Sequence, residues 1–222
     1  MTKLIIVSSS ELRKLIVIDN HEKMVDLRET CPGLMFNIAK YIKKNGGDAA
    51  VTDAHYARVD VAKRLNIAQS LLSKEFRLMI ECAYRSPKIQ QKSYDAVYKK
   101  LKNEHHSWNE EQLEKEMDNR VSPVDIAPHC TGGAIDLTIV DSHNQQLDMG
   151  TSSDEFSNKT YTESLSISKE AKDNRSLLKG VMVSAGFVNF PAEWWHWSYG
   201  DREWANIQKN KTDMNPYSCT SY

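Results

Sequence analysis

Ala134-Ile135-Asp136-Leu137-Thr138-Ile139-Val140 constrains the fold more than any other stretch, because it is rich in β-branched residues and reads as a strand. Alternation sends Ile135, Leu137 and Ile139 to one face and Ala134, Asp136 and Thr138 to the other. A carboxylate is thereby committed to a defined strand face. Just ahead of it, Gly132-Gly133 allows a tight turn and close approach to another segment, and His129 stands seven residues before Asp136. Imidazole and carboxylate are both good zinc donors. Alone the pair is weak, since a loop histidine and a strand aspartate meet by chance in many proteins.

The rest of the chain supplies elements to pack around that strand. Val61, Leu65, Ala68 and Leu72 recur at helical spacing and predict a helix from His55 to Leu72. Phe76 to Ala83 reads as a strand, and Lys88 to Leu101 as a helix started after Pro87. Ser107-Trp108-Asn109-Glu110 has the form of a capping box and predicts a short helix reaching about Asp118. Lys169 to Ala185 is helical and ended by Gly186, and Glu193 to Tyr199 is aromatic and extended. Asp141 to Ser168 is polar without clear periodicity; a loop of that length is usually functional or mobile. The expected fold class is α+β, helices packed on a small, mostly antiparallel central sheet, with residues 1–222 as one domain.

Charge excludes some partners. With 29 basic and 30 acidic side chains the formal charge is −1, which gives no electrostatic reason for nucleic acid or a membrane surface. The cluster Lys99-Lys100 with Lys102 reads as a solvated helix face. The apolar run near the N-terminus is too short for a signal-peptide core, and no stretch approaches a membrane span. Four scattered cysteines (Cys31, Cys82, Cys130, Cys219) form no CxxC pair and point to reduced thiols. The expectation is a cytoplasmic protein, with a periplasmic one, its leader removed, as the alternative.

A second chemical piece is Glu193-Trp194-Trp195-His196-Trp197, a carboxylate and an imidazole three residues apart in an aromatic wall. Strict alternation sends Glu193 and His196 to opposite faces, so a shared site requires a bend or bulge there. The plainer alternative is a half-buried aromatic strand with Glu193 in an ordinary salt bridge. Together the two pieces supply His129, Asp136 and His196 as three ligands, with Glu193 left over. Catalytic zinc takes three protein ligands and keeps one position open, whereas structural sites are closed by four. A neighbouring glutamate takes a proton from the activated water and passes it to the leaving amine. Tyr84-Arg85-Ser86-Pro87 lies between the predicted strand and helix, where Arg85 can stabilise negative charge in such a site; otherwise it is a capping or surface arginine. His21, His55, His105, His106 and His143 are expected at the surface, and Cys130 as a plain buried thiol.

Five segments, in order, resemble those of the zinc D-alanyl-D-alanine dipeptidases of the vancomycin-resistance type: Tyr84 to Pro87, His129 to Thr138, Met149 to Asp154, Asn174 to Leu178 and Glu193 to His196. The resemblance runs from about Asp26 to Trp197. It implies that His129, Asp136 and His196 hold one zinc ion per chain, that Glu193 is the catalytic base and that Arg85 stabilises the transition state. It implies further that Asp154 helps hold the ammonium of a small peptide, D-Ala-D-Ala, in a closed pocket. The wider superfamily shares the His…Asp…Glu-x-x-His core with cell-wall carboxypeptidases, phage endolysins and the hedgehog signalling domain. Alternative readings are therefore a peptidoglycan D,D-carboxypeptidase or L-Ala-D-Glu endopeptidase, and an inactive zinc-holding binding protein. There are three departures from the family pattern. Glu29 stands where the family usually has a tyrosine near Asp26-Leu27-Arg28, Ala127-Pro128 stand where some members carry serines just before the first ligand, and Cys82 occupies a site, three residues before Arg85, that is acidic in some relatives.

Overall fold

The computed structural model describes residues 6–16, 18–37, 39, 42 and 54–208. Cys219 and the first residues of the N-terminal apolar run lie outside them. Among the described residues no helix is long and apolar enough to cross a membrane.

The strands are β1 (Met24–Asp26), β2 (Met35–Phe36), β3 (Tyr56–Arg58), β4 (Arg77–Cys82), β5 (Ala134–Val140), β6 (Val188–Asn189) and β7 (His196–Ser198). The helices are α1 (Ser9–Arg13), α2 (Leu27–Thr30), α3 (Val59–Leu71), α4 (Pro87–Glu104), α5 (Glu110–Met117), α6 (Lys169–Ser184) and α7 (Arg202–Gln208). The main sheet runs β2-β4-β5-β7-β6, with only the β2–β4 pair parallel, and β1 and β3 form a separate antiparallel pair. The class is α+β, as the pattern of elements predicts.

β5 is central. Ile135, Leu137 and Ile139 are wholly buried in one core cluster with Val61 and Leu65 of α3 and Leu178 and Met182 of α6. Burying each such side chain is worth ~1.5–3 kcal/mol, which fixes the face that Asp136 must take. A bulge at Glu81 shifts the β4 register, so that Ile80 pairs with Leu137 but Cys82 pairs with Asp136. Asp136 also pairs with His196 on the other side. Positions 82, 136 and 196 thus form one row across three strands.

Several boundaries differ from the sequence expectation. The helix predicted from His55 begins at Val59, because Tyr56–Arg58 pair with β1 instead. The capping box before α5 is built by Asn109 with Gln112 rather than by Ser107 with Glu110. Ser86 caps α4, accepting from the Ile89 N–H, and Pro87 opens the helix. Residues 141–168 carry no helix, and one isolated bridge, Val140 to Gln146, is their sheet contact. Arg175 of α6, 2% exposed, holds this loop from inside: Nε and Nη2 donate to the Met149 carbonyl and Nη1 to that of Tyr161. The Trp194 indole N–H adds a hydrogen bond to the Thr151 hydroxyl at 2.9 Å.

Candidate metal centre

His129 sits in a 3-10 turn, Pro128–Thr131, that delivers it to the start of β5. Gly132 ends the turn at φ 73°, a backbone conformation that strains L side chains and that glycine adopts freely. The imidazole Nδ1–H donates to the Ala83 carbonyl at 2.6 Å, which leaves the Nε2 lone pair facing Asp136. His196 opens β7, and its Nδ1 faces the same carboxylate.

Three donor atoms meet as a result. His129 Nε2 and Asp136 Oδ1 are 3.2 Å apart, His196 Nδ1 and Asp136 Oδ1 3.1 Å, and the two nitrogens 3.2 Å. Donors about 2.0–2.1 Å from a tetrahedral zinc lie roughly 3.3 Å from one another. The residues therefore fit the ion. Both imidazoles are buried and Asp136 is half-buried, so a cation bound here is largely withdrawn from bulk water while one side stays open to the cavity.

The electrostatics fit as well. Burial opposes charge on His196, but the Asp136 hydrogen bond and the charges of Glu203, Asp136 and Glu193 outweigh it and push the imidazole up to about 9. Burial lowers His129, keeping it neutral. Asp136 is held well below the usual carboxylate range: burial opposes this, and the charges and hydrogen bonds of His129 and His196 prevail. Burial pushes Glu193 up to about 8, with His196 pulling the other way. The cluster has a surplus of carboxylates and accommodates an added positive charge.

Glu193 lies in the turn before β7, where its N–H donates to the Phe190 carbonyl and its own carbonyl accepts from the His196 N–H. That turn is the bend that strict alternation required, and it places Glu193 Oε2 4.0 Å from His196 Nδ1. Arg85 leaves the end of β4 and its Nη2 comes to 3.8 Å from Asp136 Oδ2. Its Nη1 donates to Gln90 Oε1 at 3.0 Å, and Gln90 in turn donates to the Ser122 carbonyl. Cys82 stands 3.9 Å from Arg85 Nη2, so the buried amide of Gln90 is the better acceptor for this guanidinium. Cys82 is also 4.0 Å from His129 Nδ1, the nitrogen committed to Ala83, so it stands behind the imidazole.

Arg85, His129, Asp136, Glu193 and His196 line one small cavity, with about 100 Å³ open to water-sized molecules. Asp154 is placed differently. It is exposed and accepts from the Ser152 hydroxyl at 2.5 Å, while its neighbours Ser153 and Phe156 reach the cavity wall. Glu29 is exposed on α2. His55 corrects the surface expectation: it is 2% exposed, with Nε2 3.3 Å from Asp26 Oδ2, because β1 and β3 bring that pair together. His105 is half-buried, stacked on Trp108 at 3.7 Å, while His21, His106 and His143 are exposed and Cys130 is buried, as expected. Sequence reasoning missed Glu203, which lines the cavity 3.7 Å from His196 Nε2. Its one sequence signal is an acidic pair, Asp201 and Glu203, shortly after the second histidine.

A protein-family model described as D-ala-D-ala dipeptidase matches residues 20–214. The D-alanyl-D-alanine dipeptidase of Synechocystis sp. is 28% identical over 186 residues, 72% of this chain and 75% of that protein. The D-alanyl-D-alanine dipeptidase of Escherichia coli is 43% identical over 68 residues, 31% of this chain and 35% of that protein. The solved structure of VanYB in complex with D-Alanine-D-Alanine is similar at 15% identity and TM-score 0.44, over 71% of this chain and 78% of that one.

Proposed function

Because the chain belongs to the D-ala-D-ala dipeptidase family of zinc metallopeptidases, we propose that it hydrolyses free D-alanyl-D-alanine to two D-alanines with one zinc ion per chain. The observation that carries this is the meeting of three donor atoms at 3.1–3.2 Å beside a half-buried glutamate. His129, Asp136 and His196 would hold the ion, which supplies Lewis acidity and lowers the pKa of a water towards about 7.

The protein groups do the rest. Glu193 accepts a proton from the attacking water on its carboxylate and returns it to the amine nitrogen that leaves. Burial makes the Glu193 carboxylate a stronger base than an exposed one, and the cation held beside it would favour the ionised form that accepts the proton. Arg85, oriented by Gln90, presents fixed N–H donors to the oxygen on which charge develops. The loop that reaches the cavity through Ser153 and Phe156 also carries Asp154, to which we assign the substrate ammonium.

Incubation of the purified chain with D-Ala-D-Ala and with a stem pentapeptide, with and without a chelator, tests the reading. The dipeptide should be cleaved, chelation should stop cleavage, and added zinc should restore it. Glu193→Ala should lower turnover by about 10²–10⁴-fold with zinc still bound. Cleavage of the stem peptide without the dipeptide identifies a carboxypeptidase or endopeptidase instead, and zinc binding with neither cleavage a binding protein.

A further inference from the structure

The two histidines use opposite ring nitrogens toward Asp136, and their far nitrogens are treated differently. That of His129 is tied to a backbone carbonyl at 2.6 Å. That of His196, Nε2, faces two side chains instead: the Ser198 hydroxyl at 3.4 Å and the Glu203 carboxylate at 3.7 Å. Ser198 is wholly buried and shares β7 with His196, two residues on, so both point to one face. Gly200, at φ 74°, turns the chain back, and Asp201 accepts from the Trp204 N–H at 3.0 Å at the head of α7. That reversal brings Glu203 against the ring, with the carboxylates of Asp201 and Glu203 both close to the Ser198 hydroxyl.

We infer that Ser198 and Glu203 together position His196, the hydroxyl accepting from its Nε2–H at 3.4 Å and the carboxylate oxygen standing beside it at 3.7 Å, so that Nδ1 is presented to the metal. An imidazole with no acceptor behind it can carry its proton on either nitrogen and can flip; one with an acceptor is held in a single tautomer and orientation, and its ligating nitrogen is more basic. The inference rests on reading His196 as a ligand. Glu203 also lines the cavity, so its rival role is direct contact with substrate, and the two roles separate in measurement.

Zinc affinity of the full chain is measured by competition with a fluorescent chelator for wild type, Glu203→Ala, Glu203→Gln, Ser198→Ala and His196→Ala, alongside the melting temperature of each metal-free form. Glu203→Ala should weaken zinc by about 10–100-fold at an unchanged metal-free melting temperature. Glu203→Gln, which keeps an acceptor oxygen, should recover most of that loss, and excess zinc should restore kcat with KM unchanged. Ser198→Ala should weaken zinc in the same direction, and it tests the inference if Glu203→Ala does not fold. Wild-type zinc affinity in Glu203→Ala with a raised KM would make Glu203 a substrate contact and overturn the inference. A Glu203→Gln loss equal to that of alanine would also overturn it, because charge rather than an acceptor would then be at work. Should His196→Ala bind zinc as tightly as wild type, the ligand reading beneath it fails; a loss there with none in Glu203→Ala removes the positioning role alone.

Discussion

Asp136 and His196 take their places from paired backbone: each is a register position in an antiparallel ladder whose other face is sealed by Ile135, Leu137 and Ile139. Residues 141–168 face the same cavity through Ser153 and Phe156, yet have one ladder bridge to the sheet and are otherwise held by scattered hydrogen bonds, among them those of the buried guanidinium of Arg175 and of Thr160 and Thr162. The donors sit 3.1–3.2 Å apart on the ladder side, whereas Asp154 on the loop side is exposed. Of the groups that must meet within tenths of an ångström, two are carried by strands and the third, His129, by the turn that leads into β5, whereas the group assigned to the end of a substrate is carried by an irregular loop.

Asp136→Ala gives the largest expected effect. It removes the shared oxygen of the cluster, so zinc retention after dialysis should fall by more than the ~100-fold that a supporting partner costs, while far-ultraviolet circular dichroism stays native. Retained zinc would break the contrast at its rigid end. Arg175→Met comes next. It deprives the Met149 and Tyr161 carbonyls of their donor, and should cost about 2 kcal/mol in urea unfolding. KM should rise while zinc affinity holds; a loss of zinc would mean that the loop and the ladder are one unit. Asp154→Asn is the mildest. An exposed ion pair is worth ~1 kcal/mol or less, so KM for the dipeptide should rise by no more than about fivefold, with kcat and zinc content unchanged. An effect of several hundredfold would place Asp154 inside a desolvated pocket.

The same division governs what could be read from the chain. The strand at 134–140 and the orientation of Asp136 follow from alternation alone, and β5 occupies those residues. Pro87 and Gly186 mark ends that local backbone chemistry dictates. Tyr56–Arg58 fall within the helical spacing of the sequence, because their strand partner lies some thirty residues earlier, where nothing local announces it. Ser107 and Asn109 are both able to cap; the Gln112 side chain decides between them. Glu193 and His196 could share a site only through a bend, and the turn from Phe190 provides it. His55 and Glu203 escaped because each owes its burial to a contact made by chain reversal: His55 to Asp26 across the β1–β3 pair, Glu203 to the turn at Gly200.

The row that joins positions 82, 136 and 196 draws its three members from β4, β5 and β7, the last of them near the end of the described chain. During synthesis, therefore, His129 and Asp136 emerge about sixty residues ahead of His196, the third of the proposed ligands. On the proposed ligand reading, the set would be completed only once β7 had docked beside β5. A chain that stalled before that step would lack the third ligand of the proposed centre, and the order of translation itself would keep unfinished copies inert.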